Sequence, residues 1–346
     1  MSTPLSTRES DSLVVPARKP SRSSLLSSIT RHPLAPLLAL WIAVVIYFWI
    51  TEPRYLTGSN ISNMLQQNSI LFVVALAETV ILLMGAVDLS IGGMVVLIGL
   101  VLLWINHGIP SVLVIILTVV AGAALSALVN GVPIGGWRMN PFVVTLGTAA
   151  VFRGLANVFT GGGNTKIINN PGFVSTLANG SVGPIPAAVI VMAVALLIFW
   201  ALLRFTYFGR DVYAVGGNPE AAALSGISVA RVRIAGFGLL GAAGGTAAVL
   251  QAGQLSSVAP TAAVGLELTA IAAVLLGGTS LAGGKGGVIG TSVAVLFLGS
   301  LSNGLDLGGI SSFWQNVVTG FILFTAVGFD QLRGQLLARR TRRETT

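Results

Sequence analysis

The chain alternates long apolar runs with short polar interruptions. Crossing a bilayer as a helix takes about 20 apolar residues. Runs near that length fall at roughly 34–50, 61–84, 89–105, 111–132, 141–160, 184–203, 231–252, 262–280, 286–303 and 312–329. The pattern predicts an all-α polytopic membrane bundle of about ten transmembrane helices. An even number of spans puts both termini on one side. The organisation expected is a disordered cytoplasmic tail over 1–33, a transmembrane domain over 34–332, and a basic cytoplasmic tail over 333–346. The tail 1–33 is rich in Ser, Arg and Pro and poor in large apolar residues, so it has no core to fold around.

The polar stretch over 204–233 differs from the other interruptions. Within it, Gly216 to Ile227 carries the punctuation of one short helix. Asn218 suits the N-cap, Pro219 the first helical position and Gly226 the stop. Two echoing breaks also stand out. Leu82-Leu83-Met84-Gly85 leads into Asp88-Leu89-Ser90-Ile91-Gly92-Gly93, and Leu275-Leu276-Gly277-Gly278 leads into Thr279 to Gly287. Val143-Val144-Thr145 echoes Val317-Val318-Thr319 in the same way. Such echoes are the pattern of an internal repeat, a common way to build transporters.

Composition narrows the class. The chain is 54% hydrophobic and 9% charged, with mean hydropathy +0.88. Soluble domains carry about 25% charged residues. There is no Cys, so disulfides and thiolate metal sites are excluded, and the two His, His32 and His107, are far apart. Neither a metal nor a cofactor is expected.

The net charge of +8 follows membrane topology and does not call for a nucleic-acid partner. With both tails inside, the inner side holds Arg8, Arg18, Lys19, Arg22, Arg31, Arg138, Arg204, Arg210, Arg231, Arg233, Lys285, Arg333, Arg339, Arg340, Arg342 and Arg343. The outer side keeps Arg54 and Lys166. That asymmetry is the positive-inside rule. It places the chain in a plasma (inner) membrane, in contact with lipid, and the 204–233 loop in the cytoplasm.

The chemistry legible in the residues is transport rather than catalysis. A P-loop needs G-x-x-x-x-G-K followed by Ser or Thr. Around Lys285 the spacing is off by one and Gly286 follows the Lys, so ATP chemistry has to come from another chain. Intramembrane charge is scarce, which counts against ion coupling by this chain alone. Asp88 is read as a cap for the helix after it, with a pathway role as the sharper reading. Glu267 has three open roles: pairing with a partner subunit, capping its helix, or lining the pathway. Arg153 could pair with one of these acids. Pathway candidates are Gln66, Asn68, Ser69, Asp88, Ser90, Thr145, Thr148 and Glu267, with Phe72, Phe142 and Phe313 as rings that could stack on a solute. Most Ser and Thr in spans bond their own helix backbone instead.

Four blocks together resemble a known family, the ribose-type permeases of bacterial ABC importers. Gly85-Ala86-Val87-Asp88-Leu89-Ser90-Ile91-Gly92 is similar to their G-G-I-D-L-S-V-G signature, with Ala86 in place of the second Gly. Pro141-Phe142-Val143-Val144-Thr145-Leu146-Gly147-Thr148 is similar to their P-F-I-V-T-L-G-T block. Gly216 to Ile227 resembles their G-G-N-x-x-A-A-x-x-S-G-I loop, and Glu267 to Leu281 their E-L-x-A-I-A-A-V-x-L-G-G-T-S-L stretch.

The resemblance implies two permease chains, identical or paralogous, an ABC ATPase subunit of tandem domains, and a secreted sugar-binding protein. It also implies that the short helix docks on the ATPase as a coupling helix through Asn218, Pro219, Glu220, Ala221, Ala222, Ala223, Ser225 and Gly226. The cargo expected is a monosaccharide or related small polar solute. The alternatives are a stand-alone secondary carrier or channel, and an importer carrying nucleosides or branched amino acids.

Overall fold

The computed structural model describes residues 34–321 apart from 107–108, 169–171, 312, 316 and 319. The expected tails and most of the run at 312–329 lie outside the described residues. The helices are α1 (Ala35–Thr51), α2 (Gly58–Leu83), α3 (Ile91–Ile105), α4 (Ser111–Ser126), α5 (Pro141–Thr160), α6 (Gly172–Asn179), α7 (Ala187–Phe205), α8 (Tyr207–Gly217), α9 (Pro219–Leu224), α10 (Val229–Leu255), α11 (Leu266–Leu276) and α12 (Val288–Leu307). Two small antiparallel pairs sit in the connections. β1 (Lys166–Ile167) pairs with β4 (Ser257–Val258), and β2 (Ser181–Val182) with β3 (Ile185–Pro186).

This is an all-α polytopic membrane protein. Among the described residues, six helical stretches are long and apolar enough to cross a membrane: α2, α4 with its extension to Gly136, α5, α7, α10 and α12. Helices α1, α3 and α11 are apolar but shorter. At 1.5 Å per residue, the 15 residues of α3 span about 22 Å, less than the ~30 Å hydrocarbon core. The apolar runs at 89–105 and 262–280 are therefore longer than the helices they form. Asp88 to Ser90 delays the start of α3, and the glycine-rich stretch after Leu276 ends α11 early.

Helix α4 continues into a π-helical segment, Ala127–Gly136, with Pro133 inside it. A proline cannot donate to the α-helical ladder, and the wider π turn accommodates the disruption. Helix α10 runs through the centre, packed on α4 and its extension, α2, α3 and α6. A Cβ on either Gly122 of α4 or Gly241 of α10 would collide with the other's carbonyl. Small residues let helix backbones approach this closely in lipid.

Most of α2, α10 and α12 is buried, while α4, α5 and α7 leave most of their apolar surface exposed. A helix apolar on all sides belongs in a core or against lipid, and this bundle contains both kinds.

Candidate functional site

The loop after α7 is built from its caps. Thr206 accepts from the Gly209 amide and starts α8. Asn218 closes α8, and its Oδ1 accepts from the Glu220 and Ala221 amides at 3.0 Å each. Pro219 occupies the first turn of α9. At the other end the Ile227 amide donates to the Ala222 carbonyl and the Gly226 amide to the Ala223 carbonyl, with Gly226 at φ +85°. Those two bonds make a Schellman ending, which favours glycine at the left-handed position.

Helix α9 thus begins and ends where the sequence indicates. Its faces differ. Ala222 is 5% exposed and joins the core, whereas Glu220, Ala221, Ala223 and Ser225 face outward. Leu224 is 92% exposed. It stands at the C-terminal end of a helix capped at both ends. Leu224 was not among the residues that sequence reasoning singled out; the signal was a leucine two residues before the stop glycine.

The loop is wired to both echoing breaks. The Gly284 amide, in the segment after α11, donates to the Leu83 carbonyl at the end of α2 over 2.9 Å. Gly216, at the end of α8, lies against both groups, and a Cβ there would collide with the Leu83 carbonyl and the Gly284 amide. The Tyr213 hydroxyl adds a bond to the Gly286 carbonyl at 3.0 Å. Burial pushes the Tyr213 phenol above its usual value, which keeps that donor protonated.

A second set of polar groups lies inside the bundle. Asp88 Oδ1 accepts from the Ser90 and Ile91 amides at 2.7 and 2.8 Å, so Asp88 caps α3 as expected. Asn130, from the π-helical segment, donates to Asp88 Oδ2 and to Ser90 Oγ at 3.1 and 2.8 Å. Thr148 Oγ1 donates to Asn130 Oδ1 at 2.8 Å. Glu78 Oε1 accepts from the Asp88 amide at 3.1 Å. Asn130 ties α3, α4 and α5 together, and it was legible only as a lone amide in an apolar run. Arg153, expected to be able to pair with one of the acids, forms an ion pair with Glu267 of the same chain, which is none of the three roles left open for Glu267.

The remaining pathway candidates divide. Gln66 and Ser69 form a separate cluster on α2. Gln66 donates to Asn179 Oδ1, and Gln254 donates to the Gln66 carbonyl. Nine residues separate Ser69 from Glu78, about 14 Å along the helix. Ser69 bonds the Gln66 carbonyl, Asn68 the Met64 carbonyl and Thr145 the Pro141 carbonyl, the self-satisfaction typical of spans. Phe72 is buried in the core, whereas Phe142 and Phe313 are exposed.

These features define a polytopic helical membrane protein that carries one capped, outward-facing helix. A family described as "Branched-chain amino acid transport system / permease component" matches residues 60–327, and the chain belongs to it. The chain is 43% identical over 300 residues to ribose import permease protein RbsC of Bacillus subtilis (strain 168), covering 86% of this chain and 92% of that one. It is 38% identical to the protein of the same name in Escherichia coli (strain K12), over 85% and 92% of the two chains. It is 37% identical to the L-arabinose ABC transporter permease protein AraH of Azospirillum brasilense, over 93% of each. No solved structure matches it.

Proposed function

We propose that this chain is the membrane-spanning permease of a bacterial ABC importer for a monosaccharide. Two such chains form the pathway, a tandem-domain ATPase docks on the cytoplasmic side, and a secreted binding protein delivers the sugar. Ten spans, both tails in the cytoplasm and an internal repeat complete the reading. The charge asymmetry supports the orientation, and the printed names of the relatives (ribose, L-arabinose, D-allose) support a sugar cargo.

The observation that carries the reading is the position of α9. It is capped at both ends, presents Leu224 outward, and follows directly from Gly216, which touches the ends of two membrane segments. ATP-driven closure of the ATPase pulls on α9, and the contact at Gly216 passes that motion to α2 and to the segment after α11. The sugar then passes the polar groups of the bundle under weak contacts, since affinity resides in the binding protein.

The family description favours a second cargo, a branched-chain amino acid. Proteoliposomes holding the permease, its ATPase and its binding protein separate these readings. ATP-dependent uptake of ribose, arabinose or another monosaccharide supports the sugar importer. Uptake of leucine instead supports the second cargo, and uptake by the permease alone, without ATP, refutes the importer.

A further inference from the structure

Beside the coupling loop lies a cavity that the transport reading does not use. Its volume is about 750 Å³, within the range that holds small ligands. Its lining has two chemistries. The apolar part includes Trp200 and Leu203 at the end of α7 and Ile289 at the start of α12. The cationic part is Arg204 in the last turn of α7 and Arg210 of α8. Among the described residues neither arginine has an ion-pair partner. The Arg210 guanidinium lies 4.2 Å from the centre of the Tyr207 ring, which holds it in place without neutralising it.

We propose that this cavity binds an anionic phospholipid, with the phosphodiester between Arg204 and Arg210 and an acyl chain along Trp200, Leu203 and Ile289. One argument selects a phosphate, and two select a lipid over a soluble anion. The site lies where a membrane span ends, at the depth of headgroups. Arginine pairs with phosphate oxygens through a planar fork. Free phosphate would leave the apolar part uncovered, whereas basic pockets between spans suit anionic headgroups.

The placement has a consequence for coupling. Tyr213 lines the same cavity and bonds Gly286. A lipid held there braces α8 against the segment after α11, next to the Gly216 contact. This consequence rests on the importer reading, but lipid binding itself does not.

The test uses the purified full-length chain, stripped of lipid and titrated in detergent under native mass spectrometry. The probes are dioleoyl phosphatidylglycerol, dioleoyl phosphatidylcholine and inorganic phosphate. The wild-type chain is expected to prefer phosphatidylglycerol by about tenfold, from two cationic contacts. Arg204→Gln with Arg210→Gln abolishes that preference, and the two Lys replacements retain most of it. If the double Gln variant does not fold, Ile289→Glu reads the same preference by placing a repelling charge in the apolar part. An unchanged preference in the folded variant overturns the proposal, and so does displacement of the lipid by millimolar phosphate, which would mark a free-anion site. Neither result depends on transport, so the importer reading stands or falls separately.

Discussion

The Gly284 amide donates to the Leu83 carbonyl over 2.9 Å, joining two membrane segments nearly 200 residues apart at the point where Gly216 touches both. The bond links the two breaks that echo one another in sequence. It also gives the loop over 204–233 a close backbone contact with both segments, and packed interiors transmit strain.

Gly216→Val puts a side chain where the Leu83 carbonyl and Gly284 amide now sit. ATP-dependent uptake should fall at least about tenfold, because displaced geometry at a close contact of this kind costs several kcal/mol. Gly217→Ala, next in sequence, meets nothing within 4 Å and should transport normally. Uptake by the two variants, normalised to the amount inserted in the membrane, checks the contrast.

Asn218→Ala removes the cap that holds the Glu220 and Ala221 amides. The expected cost to α9 is about 1 kcal/mol, read as a several-fold loss of ATPase co-purification. Membrane insertion is unaffected, since α9 lies outside the spans.

Asn130→Leu removes the amide that donates to Asp88 and Ser90 and accepts from Thr148. Leaving these buried groups short of a partner should destabilise the protein by about 1–3 kcal/mol. Thermal unfolding in detergent measures it. Asn130→Asp keeps the acceptor for Thr148 but sets a carboxylate beside Asp88, and should be worse.

Arg153→Met leaves the buried Glu267 without its counterion. The single change should therefore cost more stability than Arg153→Met combined with Glu267→Leu. A double-mutant cycle by thermal unfolding decides it. Additive costs, with the double variant losing the sum of the two single changes, would mean the pair contributes nothing beyond its separate residues.

Much of this was legible because the relevant signals are local. The caps of α9 lie within twelve residues, and Asn218, Pro219 and Gly226 do in space what their chemistry indicates. Asp88 capped α3 for the same reason. What sequence could not give was distance across the bundle. Asn130 meets Asp88 only because α4 turns π-helical near Pro133, and no periodicity predicts where that places a side chain. Arg153 and Glu267 are 114 residues apart, so their pairing was one option among several. The run at 262–280 is longer than the helix it forms because hydropathy does not see glycine-rich backbone, which ends α11 at Leu276.

The chain contains no cysteine, so single-cysteine cross-linking reads its contacts without background. Leu224→Cys tests the central claim, that α9 docks on an ATPase and moves with it. In the assembled transporter this variant should cross-link to the ATPase subunit, with a yield that changes on adding ATP. Leu56→Cys, exposed in the connection between α1 and α2, should give no such product. Absence of the Leu224→Cys cross-link in a complex that still transports, or an equal one from Leu56→Cys, would contradict the account.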